Sequence, residues 1–154
     1  MSGRTFAQVS IALWRDARFK TLSERGQRAL LFCWTGPHST SAGVGILFDG
    51  YAALDLGLSV DEWIAAREEV EAAGLIARDP ETETILVRDY FKANRPSSQK
   101  HVAAIRSQIA TIVSDELRHE AERALAENSP TVAADRPSPH LLAIAGRQNM
   151  GRSA

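Results

Sequence analysis

The order of hydrophobic and polar positions between residues 49 and 89 predicts two helices followed by a hairpin. Gly57 ends a short apolar helix. Ser59 and Glu62, three positions apart, then form the capping box that is typical of a helix start. The second helix continues to the residue before Gly74, which is suited to the left-handed conformation found just after helices. The pattern therefore predicts two helices joined by a short turn.

The residues after Gly74 predict a β-hairpin. Leu75-Ile76 opens a strand, residues 79–82 have the composition of a turn, and residues 84–87 alternate like a returning strand. Two helices joined by a Gly-containing turn and followed by a hairpin are typical of a winged helix-turn-helix. In that arrangement the second helix would be the recognition helix and the hairpin the wing.

The stretch before this unit supplies the rest of the predicted core. Residues 6–22 predict a strand or an extended segment followed by a short helix. Ser23 is a good N-cap for a helix over residues 24–35, which is apolar nearly all round and is therefore expected to be central to the core. Residues 44–48 predict a short strand that pairs with the hairpin.

The C-terminal third is predicted to be helical and then disordered. Tyr90 and Phe91 are expected to continue the hairpin strand, followed by a turn and a helix over residues 99–113. That helix carries a narrow apolar seam, expected to be buried either on the domain or against a second copy in a homodimer: Val102, Ile105, Ile109 and Ile112. A further helix is predicted over residues 115–127, with Ser114 as its cap.

Together these patterns predict an α+β fold that is predominantly helical, a winged helix-turn-helix with a C-terminal helical extension. The predicted division is residues 1–92 for the winged helix-turn-helix, 93–127 for the C-terminal helices and 128–154 for a disordered tail, which is rich in proline and small residues.

Composition narrows the class of protein. The single cysteine, Cys33, lies in an apolar run and allows no disulfide within one chain, and no run is long enough to cross a bilayer. We therefore expect a cytoplasmic protein with no membrane partner. The four histidines are widely separated and lack paired cysteines, and no phosphate-binding glycine loop is present. The sequence predicts no metal, no cofactor and no catalysis.

Charge is distributed unevenly. Residues 1–31 carry six basic and two acidic side chains, residues 49–89 carry three basic and eleven acidic ones, and residues 90–106 carry four basic ones and no acid. The predicted recognition unit is thus the most acidic part of the chain. Acidic side chains near phosphates repel, so this distribution argues against a standard insertion of the second helix into the major groove.

Several short motifs in order resemble a family of bacteriophage winged-helix proteins, some of which are replication initiators or replisome organisers. The motifs are Trp14-Arg15-Asp16, Leu22-Ser23, Pro37-His38, Leu56-Gly57-Leu58-Ser59, Ala73-Gly74-Leu75-Ile76 and the basic turn before the last helices. The resemblance covers about residues 6–125. It implies a DNA-binding protein that acts in phage replication initiation or transcription regulation in a bacterial cytoplasm.

The candidate contacts to double-stranded DNA fall into two groups. Arg67 projects from the apolar face of the second helix, where it either contacts a phosphate or base or pairs with Glu71 four residues on. The acid-free stretch after the wing suits contacts to the DNA backbone, and basic residues near the N-terminus are expected to extend it: Lys92, Arg95, Lys100 and Arg106, with Arg15, Arg18 and Lys20.

The acidic face of the second helix supports an alternative function. Asp61 and Glu62 are explained by the helix dipole, whereas Glu68, Glu69 and Glu71 are not. With the acids of the wing they would form a surface for a basic protein partner, such as a host or replisome protein. The chain would then be a protein-interaction module.

Overall fold

The computed structural model describes residues 5–131 as an α+β fold, predominantly helical, with a small three-stranded antiparallel sheet. A 3-10 turn, seven helices and three strands follow in this order: the turn Ile11–Arg15, α1 Ala17–Lys20, α2 Glu24–Thr35, β1 Val44–Ile46, α3 Asp49–Leu56, α4 Val60–Ala72, β2 Ile76–Asp79, β3 Thr84–Val87, α5 Tyr90–Ala93, α6 Gln99–Ile109 and α7 Asp115–Asn128. The tail predicted for residues 128–154 lies outside the described residues from 132 onward.

The predicted helix ends are confirmed at α3 and α4. The Ser59 N–H donates to Glu62 Oε2 at 2.9 Å, and the Glu62 N–H donates to Ser59 Oγ at 3.1 Å, so both bonds of the capping box are made. Gly57 and Gly74 both adopt the left-handed conformation, with φ of +67° and +75°. A side chain would strain either position, which is why both helices end where a glycine stands.

The sheet joins the strand before α3 to the hairpin after α4, as predicted. Its order is β1-β3-β2, with Val44 opposite Leu86 and Ile76 opposite Val87. All four residues of β3 are buried, because this central strand is covered on both faces. α2 packs against α4 and β3, so the helix predicted to be central is central.

The structure differs from the prediction in four places, one of them β1, which ends at Ile46 rather than at residue 48. The chain does not continue as a strand beyond Arg88: Asp89 adopts φ +61° and turns it into α5, which buries Tyr90 and Phe91 together. A strand would have sent these two rings to opposite faces. Residues 5–10 form no strand, which leaves the extended alternative, and the predicted short helix is present as α1; the 3-10 turn between them was not predicted. α6 ends at Ile109, four residues earlier than predicted.

The apolar seam of α6 is buried within a single chain. Its first three members are at most 3% exposed, and Ile112 is partly buried beyond the end of the helix. α7 provides the opposing surface through Leu117, Ala121 and Leu125, which are equally buried. The described residues therefore cover this seam without a second copy.

A carboxylate at the start of α3 connects α3, α4 and β2. Asp49 Oδ1 accepts from Trp63 Nε1 at 2.7 Å and from Arg67 Nε at 3.0 Å, and Oδ2 lies 3.6 Å from Arg78 Nη2. Arg78 also donates to Glu83 at 2.5 Å across the hairpin. Arg67 is only 5% exposed, so its charge is compensated inside the protein rather than by water.

We expect Asp49→Ala to lower the free energy of unfolding by about 3 kcal/mol, because it leaves a buried guanidinium without its closest counter-charge. Asp55→Ala removes an exposed carboxylate from the same helix and should change stability by less than about 0.5 kcal/mol. Urea unfolding of both variants measures the difference. Equal midpoints for the two variants would contradict the role assigned to Asp49.

Candidate nucleic-acid interface

Basic residues from two distant stretches of chain meet at Asp89. Arg18 Nη2 donates to Asp89 Oδ2 at 2.9 Å, and Lys92 Nζ lies 2.7 Å from Asp89 Oδ1. Arg18 also holds Asp16 with two bonds, of 3.1 Å from Nε and 2.7 Å from Nη2. One carboxylate therefore places a cation of α1 beside a cation of α5.

A second bridge joins the same two stretches. The Gln8 N–H donates to Asn94 Oδ1 at 2.9 Å, and Asn94 Nδ2 donates back to the Gln8 carbonyl at 2.8 Å. That carbonyl also accepts from Trp34 Nε1 at 2.9 Å, which ties the segment to α2. The segment leading into the 3-10 turn thus lies against the chain between α5 and α6. Together with the Asp89 bridge, this contact brings the basic N-terminal stretch next to the basic stretch that follows the wing.

Three cations of the N-terminal and post-wing stretches have no ion-pair partner among residues 5–131. Arg15, Lys20 and Arg95 are exposed, and no carboxylate lies within salt-bridge distance of them. Cations that are not already paired inside the protein can exchange their counter-ions for phosphates at no structural cost. These three side chains are therefore the best placed to bind a polyanion.

Lys100 and Arg106 are less clearly part of this surface. Both are exposed on α6, but six residues at about 100° each separate them by about 120° around the helix axis. Lys100 lies opposite the buried seam, in a first turn that contains no acid and is capped by Ser98. Arg106 lies beside the seam. The two side chains therefore point in different directions from one helix.

The electrostatics of the cluster favour an ionised Asp89. Burial opposes the charged carboxylate, yet the hydrogen bonds from Lys92 and Arg18 outweigh it, so the pKa of Asp89 lies below its usual range. The side-chain hydrogen bond from Arg18 likewise lowers the pKa of Asp16. In return, Asp16 and Asp89 raise the pKa of Arg18. Both carboxylates are charged at neutral pH and hold their cations in place.

A shallow cleft of about 190 Å³ lies between the 3-10 turn and α5. Its lining combines the charged side chains of the cluster with apolar ones, among them Leu13, Trp34 and Leu75. This volume is below the roughly 300 Å³ at which pockets for small organic ligands begin. The surface is better suited to a ligand that lies across it than to one enclosed by it.

Arg67 does not belong to the interface, which corrects its prediction as a nucleic-acid contact. Its guanidinium points into the protein, bonded to Asp49 and 3.9 Å from Glu71. The ion pair considered as the alternative is present, but Asp49 is the closer partner. A guanidinium that is 5% exposed and already paired is not open to a phosphate.

Two acids of α4, Glu62 and Glu69, contact α2, contrary to the expectation that Glu69 faces a partner. Glu69 accepts from the Ser23 N–H at 2.5 Å and from Ser23 Oγ at 2.6 Å, so it binds the N-terminus of α2, where the helix dipole favours a negative charge. Glu62 lies 3.2 Å from Arg25. Three acids of α4 and the hairpin turn have no side-chain partner in the described part of the chain: Asp61, Glu68 and Glu81.

Sequence reasoning identified the cations but missed what joins them. Lys92 lies three residues after Asp89, a spacing that a helical turn could have suggested. Arg18 is 71 residues from Asp89 and Gln8 is 86 residues from Asn94, and no local pattern signals contacts of that range. Residues 5–131 contain no cluster of three potential metal ligands and no helix that is long and apolar enough to cross a membrane.

Comparisons with protein families, with curated proteins and with solved structures give no match for this chain. Its function is therefore inferred from its own residues.

We expect Asp89→Asn to reduce the acid sensitivity of the protein. The depressed pKa of Asp89 contributes stability that is complete above about pH 4 and is lost as the pH falls through the folded-state pKa. Asparagine tolerates the left-handed backbone at this position, so the turn into α5 is kept. Urea unfolding from pH 7 down to about pH 2 should show a shallower decline for the variant than for the wild type. An identical decline would show that the cluster does not control acid stability.

Proposed function

We propose that this chain is a non-catalytic DNA-binding protein that contacts the phosphate backbone through the surface around Asp89. The observation that carries the proposal is the bridge from Arg18 through Asp89 to Lys92, which assembles one basic surface from the two stretches of the chain richest in unopposed cations. Arg15, Lys20 and Arg95 would supply the phosphate contacts. Arg18 and Lys92 are balanced by Asp16 and Asp89, so the bridge would fix the geometry of the surface rather than add net charge to it.

We further propose that the fold is a winged helix-turn-helix with a C-terminal helical extension. The order α2, β1, α3, α4, β2, β3 and the sheet order β1-β3-β2 support this, with α3 and α4 as the helix-turn-helix and the hairpin as the wing. A role in phage replication initiation or transcription regulation rests on the resemblance of the sequence motifs alone.

The proposed binding mode differs from the usual insertion of a recognition helix. The exposed side of α4 carries Asp61 and Glu68, for which residues 5–131 provide no side-chain partner, and its one arginine points inward. Contacts to phosphates position a protein on DNA but carry no direct base readout. We therefore infer binding that depends strongly on salt and only weakly on sequence.

The triple variant Arg15→Ala, Lys20→Ala, Arg95→Ala should weaken DNA binding without breaking any salt bridge, because none of the three is paired. If each contacts one phosphate, the slope of log Kd against log salt should fall by about 3. Fluorescence anisotropy with a labelled duplex over a series of salt concentrations measures it.

Arg25→Ala is the control for a single lost charge. It removes a cation from the N-terminus of α2, beside the acidic helix α4 rather than beside Asp89. Its salt slope should remain within error of the wild type, whereas Arg95→Ala alone should lower the slope by about 1. Equal slopes for Arg25→Ala and Arg95→Ala would mean that Arg95 acts only through the net charge of the protein. The surface around Asp89 would then not be the interface.

A second candidate function is supported by the three unpartnered acids of α4 and the wing. We propose as the alternative that this face docks a basic protein, and that DNA remains on the surface around Asp89. Charged side chains at the edge of a protein–protein interface chiefly accelerate association and set its salt dependence. Because Glu69 and Glu62 are held by α2, the accessible charge is smaller than the sequence indicates.

The variant Asp61→Asn, Glu68→Gln, Glu81→Gln tests where α4 lies relative to DNA. If α4 faces away from DNA, its affinity at low salt should match that of Asp55→Asn, Glu116→Gln, Glu122→Gln, in which three exposed acids elsewhere are neutralised. Anisotropy titrations of the two triple variants make the comparison. Markedly tighter binding by the first variant alone would place α4 in the groove, because removing carboxylates near phosphates relieves repulsion that low salt strengthens.

A further inference from the structure

One of the three tryptophans is exposed in the basic N-terminal stretch, directly before Arg15. Trp14, in the 3-10 turn, is 60% exposed, whereas Trp34 and Trp63 are 4% and 0% exposed. We propose that Trp14 is a stacking platform for an unpaired base, so that the surface around Asp89 accepts single-stranded DNA. This inference rests on the proposed DNA-binding function and specifies the form of DNA that the site takes.

The indole is held on a rigid support. Ser10 Oγ accepts from the Ala12 N–H at 3.2 Å at the start of the 3-10 turn, and the Asp16 N–H donates to the Leu13 carbonyl at 3.0 Å at its end. Leu13 is buried, and the Trp14 ring makes an edge contact with Phe19, with centroids 5.3 Å apart and planes at 84°. Phe19 is itself 1% exposed. A ring held in this way loses little conformational entropy when a ligand binds.

The surroundings of Trp14 combine apolar surface with positive charge. Ile11 is 88% exposed, and since a 3-10 helix has three residues per turn, Ile11 and Trp14 share one face. Arg15 follows directly, and Arg18 and Lys20 lie within six residues of Trp14 along the chain. The only acid between residues 11 and 20 is Asp16, the N-cap of α1, and Arg18 pairs with it. Aromatic rings on a basic surface are the arrangement that proteins use to bind single strands.

Charge complementarity favours a nucleic acid over a protein partner for this tryptophan. A protein that covered Trp14 and Ile11 would also have to cover three cations, which a polyanion does with its own phosphates. A duplex offers phosphates too, but its bases are stacked inside and cannot reach an indole, whereas the bases of a single strand can. Trp14 should therefore distinguish the two forms of DNA.

Burial of the other two tryptophans makes intrinsic fluorescence a direct probe. An oligo(dT) of about 20 nucleotides, long enough for the site of one small domain, should quench the emission and protect it from acrylamide. The Trp14→Phe variant should lose most of the acrylamide-accessible emission. A duplex of the same length should bind through the cations and change the emission little.

Affinity measurements with variants complete the test. Trp14→Ala should weaken oligo(dT) binding by about 10-fold and duplex binding by less than about twofold, because one stacked base is lost while the phosphate contacts remain. Trp14→Phe, which keeps a ring, should recover most of the oligo(dT) affinity. Tyr51→Ala is the matched control: Tyr51 is also an exposed aromatic, 67% exposed on α3, and its loss should change neither affinity.

The outcomes separate this inference from the function on which it rests. Equal losses for oligo(dT) and duplex in Trp14→Ala, or no loss for either, would overturn stacking while leaving the DNA-binding proposal in place. Failure of the wild type to bind either polymer at low salt would overturn both. Melting temperatures of the variants serve as the folding check, and if Trp14→Ala unfolds, the comparison of oligo(dT) with duplex quenching in the wild type decides the question.

Discussion

The need to compensate the buried charge of Arg67 constrains how α3, α4 and the hairpin pack together. A guanidinium removed from water is unfavourable unless a carboxylate accompanies it, and Asp49 is the carboxylate that meets Arg67 at 3.0 Å. After the turn at Gly57, α4 therefore packs with Arg67 next to the first residue of α3. The indole N–H of Trp63 donates to the same carboxylate. Arg78 extends the contact to the hairpin. One side of α4 is committed to this network, which is why its arginine is not available to a ligand.

A second carboxylate has a comparable role at the edge of the fold. Asp89 turns the chain from β3 into α5 through its left-handed backbone, and that turn buries Tyr90 and Phe91. Its side chain remains at the surface, where it holds Arg18 and Lys92. The same residue therefore determines a core contact and the arrangement of the cations. The negative charge of Asp89 makes the local electrostatic potential less positive, which weakens the attraction for polyanions. The same charge fixes the positions of Arg18 and Lys92.

Part of the acidic character of α4 has a structural origin. Glu69 binds the N-terminus of α2, and Gly26 makes room for its carboxylate, since a Cβ there would lie 2.6 Å from Glu69 Oε2. Glu62 caps its own helix and pairs with Arg25. Because α2 and α4 pack closely, these carboxylates are placed where the dipole and the arginine of α2 need them. What remains for a partner is a smaller and more dispersed negative surface.

The sequence by itself determined the features that depend on contacts within a few residues. The capping box of Ser59 and Glu62, the glycines after α3 and α4, and the bounds of α2 follow from interactions over at most five positions, and such patterns are readable in one dimension. The bounds of β3 were readable from its composition, although the strand itself is held by pairing with β1 and β2. The tertiary structure alone decided which charges meet across distant stretches of the chain. Glu69 and Ser23 are 46 residues apart, and Arg18 and Asp89 are 71 apart. The direction of Arg67 likewise depended on where Asp49 lies. Ion pairs form between charges that are close in space, because the Coulomb energy depends on the distance between them. The distribution of charge along the chain therefore identifies the cations near Asp89 but not the contacts that bring them together.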